Sequence, residues 1–117
     1  VDFAIKLVGG GVLGRGCVQE EMRFLICPDL IVARLFTEEL DDNECLLVTG
    51  AERFSSYECY SHTFKWSRPY HDAALFDKHG RRLTQVVAMD ALHFTEENEQ
   101  LTEEKTAREL NKAIITS

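Results

Sequence analysis

Apolar and polar positions in the first half of the chain predict a strand, two short helices and a second strand. Residues 2–8 alternate imperfectly between the two kinds and run into Gly9, as in a strand that ends in a turn. Apolar residues then recur at helical spacing, which predicts one helix over 18–26 and a second from Pro28 to about residue 41. The apolar run at 44–49 predicts a buried strand.

The second half of the chain combines a long irregular stretch with two regular elements. Residues 51–82 are rich in Ser, Tyr, His and Arg, and a structureless connection of that length is uncommon in a compact domain. This stretch therefore contains a hairpin or is a functional loop. Residues 83–90 predict a third strand, and 96–115 predict a helix with acidic residues first and basic residues later, which suits the helix dipole.

The order of these elements predicts an α/β fold, in which a sheet is flanked by helices. The connections between the strands are long enough for crossovers. Three strands are few for such a sheet, which commonly has about five or six. We therefore expect one domain over residues 1–117, with part of its sheet outside this chain.

Composition narrows the classes of function. The 117 residues include 13 Lys and Arg against 20 Asp and Glu, a net charge of −7, which argues against binding of duplex nucleic acid. The longest apolar runs, such as 86–89, are far shorter than the roughly 20 residues that span a membrane. The four cysteines contain no Cys-x-x-Cys pair, so we expect free thiols, no metal site and an intracellular protein.

A glycine-rich stretch after the first strand carries the candidate chemistry. Five of the seven glycines lie within residues 9–21, where a helix start would offer N–H groups to an anion such as a diphosphate. A tight structural turn is the alternative. The dinucleotide pattern G-x-G-x-x-G fits Gly9, Gly11 and Gly14, but the expected acidic residue about twenty positions later is absent, and so is a P-loop lysine.

Two adjacent glutamates, Glu20 and Glu21, stand in the first turn of the predicted helix. Adjacent helical residues point about 100° apart, so the two carboxylates should have different roles. The alternative is that both simply stabilise the start of the helix.

The spacing of Gly9-Gly10-Gly11 and Gln19-Glu20-Glu21, with seven residues between, resembles the G-G-G-x(6–8)-Q-E-E signature of poly(ADP-ribose) glycohydrolases. The resemblance implies a macrodomain-like three-layer α/β/α sandwich, present only in part. It also implies hydrolysis of ribose–ribose O-glycosidic bonds without metal or cofactor, with poly(ADP-ribose) and ADP-ribosylated proteins as partners, in the nucleus or cytoplasm. The similarity continues through residues 1–4, 22–26, 35–38, 43–46, 66–68, 91–94 and 108–112.

The resemblance also implies roles for single residues. Glu21 would be the catalytic acid/base, Glu20 would hold ribose hydroxyls, and Asp2 would support the site from the first strand. A helix start lowers the pKa of a carboxyl group, so Glu21 would need partial burial or the charges of Glu20 and Asp2 to raise its pKa again. The implied substrate-binding positions, of which the glycines would line the diphosphate and ribose and the tyrosine would pack on the ligand, are Gly9, Gly10, Gly11, Val18, Gln19 and Tyr60.

Three positions depart from the family pattern. Ile5 replaces an asparagine that contacts ribose, and it either meets the sugar or faces the core. Arg15 stands where the family has a small residue, so it would clamp a phosphate or obstruct the pocket. Cys27 replaces an asparagine before Pro28 and weakens the cap of the second helix.

Two functions remain open at this stage. The chain is expected to be a central piece of a glycohydrolase domain, between an adenine-contacting segment and a second glycine-rich loop. The alternative is a diverged or inactive module that binds ADP-ribose without turnover.

Overall fold

Five strands and three α-helices form the described part of the computed structural model, which covers residues 1–91 and 101–116. Strands β1, β2 and β5 form one sheet, whereas β3 and β4 pair with each other. The elements follow in the order β1 (Asp2–Ala4), α1 (Gln19–Ile26), α2 (Asp29–Arg34), β2 (Leu46–Thr49), β3 (Ser55–Glu58), a 3-10 turn (Ser61–Thr63), β4 (Lys65–Pro69), β5 (Gln85–Asp90) and α3 (Glu103–Thr116).

Strand β5 is the centre of the three-stranded sheet. Strand β1 runs parallel to it, with Ala4 opposite Asp90, and β2 runs antiparallel on the other side, with Leu46 opposite Ala88. The carboxyl ends of β1 and β5 therefore lie at the same edge, and the glycine-rich stretch leaves β1 there. This is the edge at which open α/β sheets commonly bind their ligands.

All three strands predicted from the sequence are present but shorter. Strand β1 ends at Ala4 instead of residue 8. Bends and turns replace it from residue 6 onward, and both Gly9 and Gly10 take positive φ angles, +86° and +45°. Strands β2 and β5 each begin two residues later than predicted, at Leu46 and Gln85.

The irregular stretch between β2 and β5 contains a hairpin, which confirms one of the two alternatives for it. Strands β3 and β4 pair in antiparallel fashion, with an irregularity between Ser56 and Tyr57. Because this connection is a hairpin and not a crossover, β5 returns antiparallel to β2. The crossover expected between these two strands is therefore wrong, whereas the parallel pairing of β1 and β5 agrees with a crossover.

The helices agree with the sequence prediction to different degrees, and α3 begins at Glu103, after residues 101–102 that the sequence predicts as helical. The first helix is confirmed, but α2 ends at Arg34 instead of residue 41. Leu40 is still buried, because an extended segment carries it into the core and its N–H donates to the carbonyl oxygen of Lys6 at 2.7 Å. Residues 96–100 of the last predicted helix, and residues 92–94 of the resemblance, lie outside the described residues.

One face of the three-stranded sheet packs against α1 and α2. Phe24 and Leu30 from these helices are almost fully buried and meet Ala88 of β5 in the core. On the opposite face, Phe3 and Leu47 are 71% and 51% exposed, as the two-residue period of a strand requires. The described residues therefore form the sheet and a helical layer on one of its faces.

Helix α3 is attached to the end of β5 by buried charges. Asp90 accepts hydrogen bonds from Lys112 Nζ, at 2.5 Å to Oδ1 and 3.0 Å to the carbonyl, and Arg108 Nη2 lies 3.3 Å from Oδ1. All three side chains are at most 6% exposed. Arg108 and Lys112, which were expected to suit the helix dipole, are thus directed at Asp90. The last turn of α3 contains no basic residue.

Candidate active site

The glycine-rich stretch folds back over the first turn of α1 and holds both of its carboxylates. The N–H of Gly9 donates to Glu20 Oε1 at 2.5 Å, and the N–H of Gly11 donates to Glu21 Oε1 at 3.0 Å. Glu21 Oε2 accepts the N–H of Val18 at 2.9 Å, so this side chain also caps the start of the helix. The loop and the helix therefore fix the positions of the two carboxylates together.

Two glycines leave no room for a side chain beside these carboxylates. A methyl group on Gly10 would lie 2.5 Å from Glu21 Oε1 and 2.9 Å from Glu20 Oε2. A methyl group on Gly16 would lie 2.7 Å from both Cγ and Cδ of Glu21. The clustering of glycines in the sequence thus has a local cause, which is the close approach of the backbone to two buried acids.

The two glutamates differ in protonation although both are buried. Burial raises the pKa of Glu20 to about 7, against hydrogen bonds from the N–H groups of Gly9 and Ile5. Burial acts in the same direction on Glu21, but hydrogen bonds from the backbone, those of Val18 and Gly11 before its own, outweigh it and lower its pKa. The prediction that the two carboxylates differ in role therefore has an electrostatic basis.

This order of pKa values differs from the requirement set by the sequence. Glu21 needed a raised pKa to donate a proton, and instead Glu20 has the raised value. The physical reason is the balance between burial and hydrogen bonds: both carboxylates accept backbone N–H groups, but burial dominates at the more deeply buried Glu20 and hydrogen bonds dominate at Glu21.

Asp2 lies beneath this site at the start of β1. It is fully buried, and neither carboxylate oxygen has a hydrogen-bond partner among the residues described. Burial raises its pKa to about 6, while the charge of Arg23 opposes the shift and that of Glu21 adds to it. Three acids of the sequence prediction, Asp2, Glu20 and Glu21, are therefore electrostatically coupled in the fold.

The turn that carries Tyr60 is joined to the far end of the glycine-rich stretch. Cys17 Sγ donates to the carbonyl oxygen of Ser61 at 2.7 Å, and the Tyr60 ring remains 53% exposed. Cys59 and Ser61 on either side of Tyr60 have φ angles of +64° and +54°, which L residues adopt rarely. The sequence does not predict this contact of Cys17. The position of Cys17, two residues before Gln19, was the one indication that it lies near the candidate site.

The other predicted substrate-binding positions lie on the same segment. Val18 is exposed and directs its N–H at Glu21. Gln19 Oε1 accepts the N–H of Phe3 at 3.3 Å, so this side chain holds β1 against the start of α1. Their roles toward a ligand stay predictions.

The three departures from the family pattern have different surroundings. Ile5 is 58% exposed, so the alternative that it faces the core is wrong. Arg15 is exposed, and its effect on a ligand stays a prediction. Cys27 is buried in the core. Helix α2 begins after it without a side-chain cap, as expected where a cysteine replaces the asparagine of the family pattern.

Residues 1–91 and 101–116 lack two further features. They contain no helix long and apolar enough to cross a membrane. They also contain no group of three or more His, Cys, Asp or Glu side chains arranged to hold a metal ion.

Comparison with known proteins gives one family. A family model described as poly(ADP-ribose) glycohydrolase with the macro domain fold matches residues 1–116. Poly(ADP-ribose) glycohydrolase 1 of Arabidopsis thaliana is 47% identical over 97% of this chain, and poly(ADP-ribose) glycohydrolase 2 of Caenorhabditis elegans is 44% identical over 98%. The chain spans only 21% and 26% of the lengths of these two relatives.

Proposed function

The chain belongs to the poly(ADP-ribose) glycohydrolase family, which has the macro domain fold, and from this premise we propose that it carries acid/base residues for hydrolysis of poly(ADP-ribose). The bond broken is the ribose–ribose O-glycosidic bond, and the product is ADP-ribose. The observation that carries the proposal is the pair of buried glutamates, Glu20 and Glu21, held by N–H groups of the glycine-rich stretch.

In the proposed reaction Glu21 exchanges protons with the reacting groups. It gives a proton to the leaving ribose oxygen as the glycosidic bond breaks, and an oxocarbenium-like centre develops on the other sugar. The resulting carboxylate then takes a proton from the attacking water. Glu20, which retains its proton up to a pH of about 7, holds the ribose hydroxyls.

Substrate itself supplies the rise in pKa that Glu21 requires. In the free protein the N–H groups of Gly11 and Val18 stabilise the ionised form of Glu21. A ribose or diphosphate oxygen that accepts one of these N–H groups removes a hydrogen bond from the carboxylate, so its pKa rises. Glu21 would then be protonated when the glycosidic bond is in place.

The test compares Glu21→Gln and Glu20→Gln in the full-length protein. Glutamine keeps the size of the side chain but cannot exchange a proton, so Glu21→Gln should lower turnover of poly(ADP-ribose) about 10²–10⁴-fold. Its affinity for ADP-ribose, measured by calorimetry, should stay within a few-fold of the parent. Glu20→Gln should act mainly on affinity. Turnover by Glu21→Gln within a few-fold of the parent would remove Glu21 from the acid/base role.

A second candidate function is ADP-ribose binding without turnover. The exposed side chain of Ile5 favours it, because Ile5 follows β1 directly, its N–H contacts Glu20, and it offers no hydrogen-bonding group to a sugar. Measurable ADP-ribose affinity in a protein with no detectable turnover of poly(ADP-ribose) would support this alternative.

A further inference from the structure

Two arginines line a pair of cavities beside α1 that neither glutamate borders. A cavity of about 400 Å³ between α1, the start of β5 and the hairpin is lined by Arg23, Arg53 and Tyr70. A second cavity of about 390 Å³ is lined by the same two arginines with Gln19 and Tyr57. The two guanidinium groups thus border both cavities.

Neither arginine lies within salt-bridge distance of an acidic side chain in the part of the chain that the structure describes. All ion pairs within 1–91 and 101–116 involve other basic residues. Asp72 also borders the first cavity, but it accepts the backbone N–H groups of Arg53 and Ala74 and lies 3.9 Å from Arg82. Two positive charges are therefore left facing the cavities.

Contacts on the rest of its side chain fix the orientation of Arg53. Its Nε donates to the carbonyl oxygen of Ser55 at 3.0 Å, and its guanidinium lies 4.1 Å from the centre of the Tyr70 ring. The Arg53 guanidinium, held in this way, keeps further N–H groups available for bidentate hydrogen bonds to phosphate oxygens. Arg23 lies beyond salt-bridge distance of the buried Asp2, and its charge lowers the pKa of that carboxyl group only in part against the effect of burial.

We propose that Arg23 and Arg53 bind a diphosphate group in these two cavities, at a site separate from the glutamates. Two guanidinium groups suit an anion with two phosphoryl groups better than a single carboxylate. Neither Glu20 nor Glu21 lines either cavity, so the proposed site is distinct from the pair of glutamates although Arg23 stands on the same helix. Gln19 borders the second cavity beside Glu20 in the chain, which makes the two sites neighbours at the start of α1.

The diphosphate has two possible sources. It belongs either to a free nucleotide or to a neighbouring ADP-ribose unit of a polymer, and only the second source rests on the proposed function. In both cases the recognised chemistry is the same.

Calorimetry with inorganic pyrophosphate tests the site in the full-length protein, and the arginine variants distinguish it from the candidate active site. Arg23→Gln and Arg53→Gln should each weaken pyrophosphate binding at least tenfold. Arg53→Lys, which keeps the charge but loses the planar fork, should also weaken it. Lys78→Gln removes one positive charge from an exposed turn outside both cavities and should stay within twofold of the parent.

Glutamine variants of Arg23 and Arg53 that bind pyrophosphate no more weakly than Lys78→Gln would overturn the proposal. Thermal melting checks that each variant is folded, and Arg53→Lys carries the test if Arg53→Gln is not. The assay needs no turnover, so a protein that hydrolyses poly(ADP-ribose) but does not bind pyrophosphate through the arginines contradicts this inference alone.

The source is identified in a Glu21→Gln background, where a polymer stays intact. A larger loss of affinity on Arg53→Gln for a two-unit ADP-ribose oligomer than for ADP assigns the diphosphate to the neighbouring unit. Equal losses assign it to a free nucleotide.

Discussion

Replacing Gly10 by alanine should damage the candidate active site, because the added methyl group clashes with both glutamates and the backbone conformation is strained for alanine. The new Cβ would lie 2.5 Å from Glu21 Oε1 and 2.9 Å from Glu20 Oε2, well inside van der Waals contact. The residue also has a φ of +45°, which costs an L residue about 1–2 kcal/mol. Overpacking of a buried site costs about 1–3 kcal/mol more.

Two matched variants separate the cost of the backbone conformation from the cost of overpacking. Gly80 has a φ of +75° but open space around its Cβ position, so Gly80→Ala should cost only the backbone term of about 1–2 kcal/mol. Gly14 has no positive φ and its nearest neighbour would be 3.6 Å away, so Gly14→Ala should stay within about 0.5 kcal/mol of the parent.

Thermal melting and turnover of poly(ADP-ribose) are the measurements for all three variants of the full-length protein. Gly10→Ala should melt at the lowest temperature and lose about 10²-fold in turnover, because a displacement of about 1 Å at a reacting group has that effect. Gly80→Ala should lose stability without losing turnover. A Gly10→Ala variant that melts and turns over like Gly14→Ala would show that the loop does not position the carboxylates.

Two further predictions concern Glu20 and Ile5. Because the pKa of Glu20 rises from 4.5 to about 7 on folding, the unfolded chain loses its proton first, so the free energy of unfolding should fall as the pH rises from about 4.5 to about 7. Chemical denaturation across this range should show a shallower fall for Glu20→Gln, and an unchanged slope would contradict the assignment. Ile5→Asn should improve ADP-ribose affinity several-fold in calorimetry without lowering the melting temperature, since Ile5 is exposed. A lower melting temperature with no gain in affinity would contradict the proximity of residue 5 to ribose.

The spacing of apolar residues predicts a helix or strand correctly where burial of one face determines its conformation. The prediction of helix α1 is correct, because three of its four apolar side chains are buried and a proline follows it. The second helix was extended too far, to about residue 41, because Leu40 is apolar and at helical spacing although an extended segment buries it. The direction of β2 depended on whether residues 51–82 formed a hairpin, which the pattern left open.

The sequence predicts that the glycine-rich loop and the two glutamates come together. It does not predict which glutamate has the raised pKa. The glycines and the Gln-Glu-Glu triplet identify a loop and two acids from the sequence alone. Which acid keeps its proton depends on where the N–H groups of Gly11 and Val18 point, and that is a property of the folded backbone. The pairing state of Arg23 and Arg53 likewise depends on contacts between distant segments.

The buried cluster of Asp90, Arg108 and Lys112 restricts how this chain can change during evolution. Removing Asp90, or removing one base and then a second member, leaves an uncompensated charge away from water, at a cost of about 3–5 kcal/mol, a large part of the stability of an ordinary domain. Replacing the whole cluster by apolar residues of similar volume can be neutral. Each single-substitution path from one arrangement to the other therefore passes through a poorly folded intermediate, so these three positions should be inherited together or exchanged together.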